Sequence, residues 1–167
     1  GVIRLEWEPE GRFTDLPSFV ASERDYPAVD FKVRDAGRKV EVITSEMTLI
    51  YRKNTGKFTK DNLEIKAADG FYIWKPGMKQ KENLKGTFRT LDGLDGDVQT
   101  QTWVKDMKFG ETRKFEDGIL AKDGWTLIDE SDNFLFDDSE WAWVKERRAG
   151  ECQDWYFMGY GHDYKSA

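Results

Sequence analysis

The acidic segment from Asp129 to Glu140 carries oxygen-bearing side chains at the spacing of a calcium-binding loop. They fall at positions one, three, five, nine and twelve of such a loop: Asp129, Ser131, Asn133, Asp137 and Glu140. A calcium loop needs glycine at its sixth position for a sharp turn, and a helix on either side. Here the sixth position is Phe134, and the flanking residues have strand character. The pattern therefore favours a solvated acidic turn between strands, with a calcium loop as the alternative.

His162 is the only histidine and Cys152 the only cysteine, so the usual zinc ligand sets and an internal disulfide are excluded. No serine or cysteine nucleophile motif surrounds His162. Residues 163–165 read as the first turn of a helix, and we expect Asp163 or a neighbour to cap its backbone N–H groups. No glycine-rich loop precedes a helix, so nucleotide phosphate binding has no support. The sequence predicts neither a metal nor a cofactor.

Carboxylates and aromatic rings are both abundant. Glycoside hydrolysis needs two carboxyl groups that face each other across a cleft, and a high density of Asp and Glu does not establish such a pair. We therefore assign no catalytic residue. The seven Trp residues could stack on the apolar face of a sugar, although most should pack in a core. Trp141 and Trp143 alternate about Ala142, which predicts that they share one face of a strand.

Length and charge narrow the function further. The 167 residues suit one domain, and the formal net charge of −6 disfavours nucleic acids and anionic membranes as partners. No apolar run approaches the roughly 20 residues that span a bilayer. Cytoplasmic and periplasmic or secreted locations are both compatible with a single cysteine, and the oligomeric state is left open.

An alternation of period two dominates the chain and predicts short strands. Residues 39–44 and 47–51 form adjacent candidates, and residues 63–67 and 71–74 flank an Asp69-Gly70 hairpin turn. Asn54 and Gly56 suit positive φ in another turn. Further strands are predicted at residues 3–7, 31–34, 125–128, 133–136 and 155–158. Many short strands with frequent turns predict an all-β sandwich or barrel, with a long excursion over residues 76–97.

Three segments resemble one known family. They read NLKGTFRTLDG at residues 83–93, DGILAKDGWTLID at 117–129 and DWYFMGYGHDYK at 154–165. Their order and spacing are similar to the N-terminal region of family 31 glycoside hydrolases, the α-glucosidase and α-xylosidase group. The opening strand and residues 17–26 fit as well, so the resemblance covers essentially the whole chain.

The resemblance implies an antiparallel β-sandwich of the galactose-mutarotase type over residues 1–160. Residues 161–167 would then begin, with a short helix start, the connection to a catalytic (β/α)8 barrel. The barrel of that family carries the two aspartates that cleave α-glycosides with retention, so the present chain is expected to be inactive alone. The implied partners are that barrel and an α-linked oligosaccharide or glycoside.

The resemblance also implies a substrate-binding loop that reaches the barrel mouth, and Asp123, Gly124 and Trp125 match it by motif position. Asp123 would hydrogen-bond sugar hydroxyls and Trp125 would supply a stacking face, with Trp155 as a second aromatic candidate. Lys122 replaces the arginine of the family pattern and lacks its planar fork. Docking on a barrel predicts an exposed apolar patch along residues 155–160 and the neighbouring strands. An independent carbohydrate-binding module and a self-contained enzyme are the alternatives.

Overall fold

The computed structural model describes residues 1–23, 27–85, 117–139, 141, 143–147 and 152–165. These residues form ten β-strands and no helix, so nothing among them resembles a membrane-spanning helix. The strands are β1 (Val2–Trp7), β2 (Lys32–Ala36), β3 (Lys39–Ile43), β4 (Met47–Arg52), β5 (Leu63–Ala67), β6 (Ile73–Trp74), β7 (Trp125–Asp129), β8 (Leu135–Phe136), β9 (Val144–Lys145) and β10 (Gln153–Gly159).

The first half of the chain builds an antiparallel sheet of five strands in the order β2-β3-β4-β5-β6. Its strands are joined by tight turns, and residues that favour turns occupy the turn positions. The Thr44 N–H donates to the Met47 carbonyl between β3 and β4, at 2.9 Å. Gly70 adopts φ +79° between β5 and β6, and Asn54 and Gly56 are also at positive φ. These strands and turns confirm the predictions for this half.

The second sheet has the order β1-β10-β7, and it joins the two ends of the described chain. Val2 pairs with Met158 and Leu5 with Trp155, while Phe157 pairs with Leu127 on the other side of β10. A small hairpin of β8 and β9 lies apart from both sheets. Strand β9 was not predicted, because two residues are too short for an alternation to show.

The two larger sheets bury a shared aromatic core between them. Trp74 from β6 and Phe157 from β10 are fully buried, with ring centroids 4.9 Å apart. Aliphatic side chains of the five-stranded sheet fill the space around these rings: Met47, Leu49, Leu63 and Ile65. Because each sheet contributes alternate residues to one core, the predicted antiparallel all-β sandwich is confirmed.

The expected apolar patch along residues 155–160 is wrong. Trp155, Tyr156, Phe157 and Tyr160 are all at most 9% exposed. The reason is that β10 is the central strand of its sheet and both of its faces are covered within this chain.

The expectation for Trp141 and Trp143 is also wrong. Trp141 lies in a turn and is 95% exposed, while Trp143 is 69% exposed with φ +54°. Ala142 between them lies outside the described residues. The chain turns here between β8 and β9, so the alternation of the two rings reflects no extended strand.

The helix start expected after Gly161 is not found in residues 161–165, which form turns. Gly161 has φ +54°, and the Asp163 N–H donates back to the Tyr160 carbonyl at 2.8 Å. A left-handed residue at this point closes a turn and does not lead into a right-handed helix.

Candidate functional site

The loop that contains Asp123 is held by Asn83, from the segment before it. Asn83 forms an isolated antiparallel bridge with Ala121. Its side-chain Oδ1 accepts from the Gly118 N–H at 2.9 Å, and its Nδ2 donates to the Gly118 carbonyl at 2.8 Å. The Asn83 amide thus satisfies both backbone groups of Gly118, as a paired strand would, and fixes the start of the loop.

Asp123 is half-buried, and its carboxylate is oriented by the backbone. Its Oδ2 accepts hydrogen bonds from the N–H groups of Lys81 at 2.9 Å and Glu82 at 3.0 Å. Within the described part of the chain, Oδ1 accepts no hydrogen bond. The carboxylate is thus fixed in direction and retains an oxygen that can accept a donor from outside.

Gly124 is required by both conformation and space. Its φ is +77°, and its carbonyl accepts from the N–H groups of Tyr160 at 3.0 Å and Gly161 at 2.9 Å. A Cβ placed here would lie 2.5 Å from Cε1 of Phe71 and 2.9 Å from Cα of Gly161. Any larger residue would have to push the Phe71 ring and the backbone of Gly161 away.

The buried Tyr160 hydroxyl binds the inner side of the same loop. It accepts from the Ala121 N–H at 2.7 Å, and the carbonyls of Ile119 and Trp125 lie 3.2 Å and 3.3 Å away as acceptors for its proton. The hydroxyl therefore hydrogen-bonds backbone groups on both sides of Asp123 and ties the two ends of the loop together.

Trp125 has no open face in this structure. It is 4% exposed, and its ring stacks on Phe157 at 6.3 Å and lies 6.2 Å from Trp74. Trp155 is 8% exposed and packs between Trp74 and Phe58. Both candidate stacking residues are therefore part of the core. The substrate-binding role of Asp123, Gly124 and Trp125 stays a prediction.

Among the described residues, two exposed aromatic side chains lie beside this loop, Phe71 and His162. Phe71 is 38% exposed, and the His162 ring lies 4.1 Å from it, centroid to centroid. The sequence predicts a hairpin strand at Phe71 and a helix start at His162, and neither prediction brings the two rings into contact. Only the close approach of Phe71 to Gly124 reveals it, and no local sequence signal predicts that approach.

A second polar site lies on the face of β1 and β10 that points away from the apolar core. Asp154, 2% exposed, accepts from Arg4 through Nε to Oδ1 and through Nη2 to Oδ2, both at 2.9 Å. Arg147 contacts the same Oδ2 and also approaches Glu130 at 3.5 Å. Glu130 is fully buried and accepts from the Ser18 hydroxyl at 2.6 Å. We call Arg4, Glu130, Arg147 and Asp154 the ionic layer.

Burial and charge pairing act against each other on the pKa values of Asp154 and Arg4, and charge pairing prevails. Burial alone would raise the pKa of Asp154, but its hydrogen bond and charge pairing with Arg4, followed by Arg147, hold that pKa below its ordinary value. Burial likewise opposes the charged form of Arg4, yet the bond to Asp154 raises the pKa of its guanidinium. Burial raises the pKa of the neighbouring Glu6, and Arg4 only partly offsets this.

A pocket of about 230 Å³ opens over the ionic layer. Acidic and basic side chains both line it, among them Glu6, Arg12 and Arg147, with Phe13 at the side. The described residues contain no group of three or more His, Cys, Asp or Glu side chains arranged to hold a metal ion. The mixed signs of charge select neither a cation nor an anion.

The acidic segment after β7 makes local turns. Oδ1 of Asp129 accepts from the N–H of Ser131 at 3.0 Å, and Oδ1 of Asp137 accepts from the N–H of Ser139 at 3.0 Å. Glu140, the last position of the calcium spacing, lies outside the described residues. These bonds use the two carboxylates to close turns between strands.

No protein-family model matches the chain, and no curated protein matches it. The family resemblance therefore rests on its three sequence segments.

Proposed function

We propose that this chain is the non-catalytic β-sandwich domain of a retaining α-glycosidase of family 31, with a sandwich of the galactose-mutarotase type. Its role is to support a (β/α)8 barrel and to add the Asp123 loop to the substrate site of that barrel. The full-length enzyme would hydrolyse α-glucosides or α-xylosides with two aspartates outside this chain.

One observation carries the proposal: the described parts of the three segments that resemble the family contact one another in the fold. Asn83 of the first segment binds Gly118 of the second across 35 positions. Tyr160 of the third segment binds the second again, at Ile119, across 41 positions. Residues 86–93 of the first segment lie outside the described residues. Segments that are far apart in sequence but similar to one family thus converge around a single loop.

The surface around this loop supports a docking role. Several apolar side chains on the segments that border it are between 38% and 54% exposed: Phe71, Ile73, Leu84 and Ile119. Leu84 is joined to the loop through its N–H, which donates to the Leu120 carbonyl at 2.9 Å. We propose these side chains, in place of residues 155–160, as the contact with the barrel.

The test begins with the coding sequence that follows Ala167 in the natural gene. The proposal expects it to encode the alternating strands and helices of a barrel. The longer product should cleave p-nitrophenyl α-glucoside or α-xyloside with retention, and the present chain alone should not. Asn83→Ala in the longer product should lower activity or stability, whereas the matched change Asn133→Ala, at an exposed turn position, should not. A gene without a barrel, or turnover by the present chain that an Asp-to-Ala change in it abolishes, would overturn the proposal.

Trp141 and Trp143 favour a second candidate, an independent carbohydrate-binding module. Both indole rings are largely open to solvent, at 95% and 69% exposure. Calorimetry with maltose, isomaltose and xylosides separates the two functions. A dissociation constant tighter than about 1 mM that Trp141→Ala removes would favour the module.

A further inference from the structure

The loop proposed to reach a sugar lacks the aromatic face that the family resemblance assigns to it. Trp125 is 4% exposed, and its ring packs against the rings of Phe157 and Trp74. Turning it outward would open a large void in a closely packed core. A sugar at Asp123 would need another ring.

We propose that Phe71 and His162 form the aromatic face of a pyranose subsite beside Asp123. This inference rests on the proposed function and names the subsite within it. The ligand class is a neutral pyranoside, whose apolar C–H face can lie on a ring while its hydroxyls reach a carboxylate.

The position of Phe71 is fixed by Gly124. The absence of a side chain at Gly124 lets the Phe71 ring lie directly against the loop backbone, where a Cβ would approach Cε1 to 2.5 Å and Cδ1 to 2.8 Å. Phe71 itself follows the Asp69-Gly70 turn, and its N–H donates to Oδ1 of Asp69 at 2.9 Å. Both the ring and its backbone are therefore anchored.

His162 extends this face on the side of the third segment. Its ring is exposed and lies 4.1 Å from that of Phe71, with the planes inclined by 51°. The N–H of Gly161, immediately before it, donates to the Gly124 carbonyl at 2.9 Å. The same loop thus positions both rings.

Asp123 supplies the polar part of the subsite. Its Oδ2 is occupied by two backbone N–H groups, so the carboxylate cannot rotate freely. Its Oδ1 accepts nothing from the described residues and is available to a sugar hydroxyl. Asp123 thus offers an oriented acceptor one residue before Gly124, against which the Phe71 ring lies, and a polar group near a ring can orient a pyranose.

The test is an NMR titration of this chain with methyl α-glucoside, maltose and methyl α-xyloside at concentrations well above millimolar. We expect at least one of these sugars to shift the amide signals of Phe71, Gly124 and His162, with a dissociation constant weaker than about 1 mM. Phe71→Leu should weaken this binding about fivefold or more, the scale of losing one aromatic contact. Phe71→Tyr keeps an aromatic ring at this position and should retain the affinity for the sugar.

The matched control is Phe31→Leu, which removes another exposed ring, 62% exposed and adjacent to β2, and should leave binding unchanged. Amide spectra of each variant show whether the fold persists. Three outcomes would overturn the subsite. The amide shifts could be confined to Trp141 and Trp143, Phe71→Leu could bind the sugar as tightly as the parent chain, or none of the three sugars could cause a shift. The downstream gene and the activity of its longer product test the proposed function separately, so either can fail alone.

Discussion

Strands β1 and β10 present two different layers on their two faces. One face places Leu5, Trp155 and Phe157 against the other sheet in the apolar core. The opposite face places Arg4 and Asp154 in the ionic layer, where Asp154 is buried and Arg4 is half-buried. Since the alternation of a strand separates the faces residue by residue, the same backbone supports both layers.

The two layers differ in what stabilises them. The apolar core depends on shape, because its rings gain free energy by excluding water and filling space. The ionic layer depends on charge balance, because a buried ion is costly unless its partners remain. Volume changes should therefore damage the first layer, and charge changes at constant shape should damage the second.

The largest effect is expected from a volume change in the apolar core. Phe157→Ala removes a fully buried ring that contacts Trp74, Tyr72 and Trp125. We expect the free energy of unfolding to fall by about 3 to 5 kcal/mol, as measured by urea denaturation. Phe31→Ala is the matched control, and because Phe31 is exposed its change should stay within about 0.5 kcal/mol. Equal losses in the two variants would contradict a core centred on Phe157.

A charge change at constant shape tests the ionic layer. Asp154→Asn keeps the size of the side chain but removes the charge that faces Arg4 and Arg147. We expect a loss of about 1.5 to 3 kcal/mol at neutral pH, since hydrogen bonds between charged partners are replaced by weaker ones. Asp35→Asn, which breaks an exposed pair with Lys53, should change stability little. If Asp154→Asn is as stable as the parent, the ionic layer contributes no net free energy.

The part of the apolar core that the five-stranded sheet supplies could be predicted from sequence, but the part that β10 supplies and the ionic layer could not. The alternation around Leu49 and Ile65 marks inward positions, and Asp69-Gly70 marks a turn, so the strands and the sandwich follow from local patterns. Arg4 and Asp154 also alternate with apolar residues, yet alternation alone assigns them to solvent. Their contact spans 150 positions, and no local rule gives such a partner.

The candidate site shows the same limit. The Asp123-Gly124-Trp125 motif selects one loop as a candidate, but the motif does not say which way its tryptophan ring points. Trp125 belongs to β7, and the register of that strand with β10 turns its side chain toward the core. The positive φ of Gly124 and the approach of Phe71 come from tertiary packing, so the sequence could not reveal them.

The dependence of stability on pH should separate the two layers further. The pKa of Asp154 is held below that of an unfolded aspartate, about 4. Its ionised form therefore stabilises the fold above about pH 4, and this contribution is lost as the pH falls through the lower folded-state value. Asp154→Asn should flatten this acid loss in urea denaturation between pH 2 and about 6.

Phe157→Ala provides the comparison for that pH profile. It should lower stability by a similar amount at every pH, because no charge changes at this position. Glu6 acts in the opposite sense, since its raised pKa makes its ionisation unfavourable to the fold as the pH rises. Parallel profiles for the parent and Asp154→Asn would show that the ionic layer does not govern acid stability.

The smallest effect is expected where the chain belongs to neither layer. Trp141 is 95% exposed in the turn between β8 and β9, so its ring gains almost nothing from burial in this chain. Trp141→Ala should therefore change the free energy of unfolding by no more than about 0.5 kcal/mol in urea denaturation. Tyr156, also aromatic but 5% exposed beside the ionic layer, is the contrast, and Tyr156→Ala should cost clearly more. A large loss of unfolding free energy from Trp141→Ala would mean that a further contact buries this indole in solution. A third stabilising region would then have to be added to the apolar core and the ionic layer.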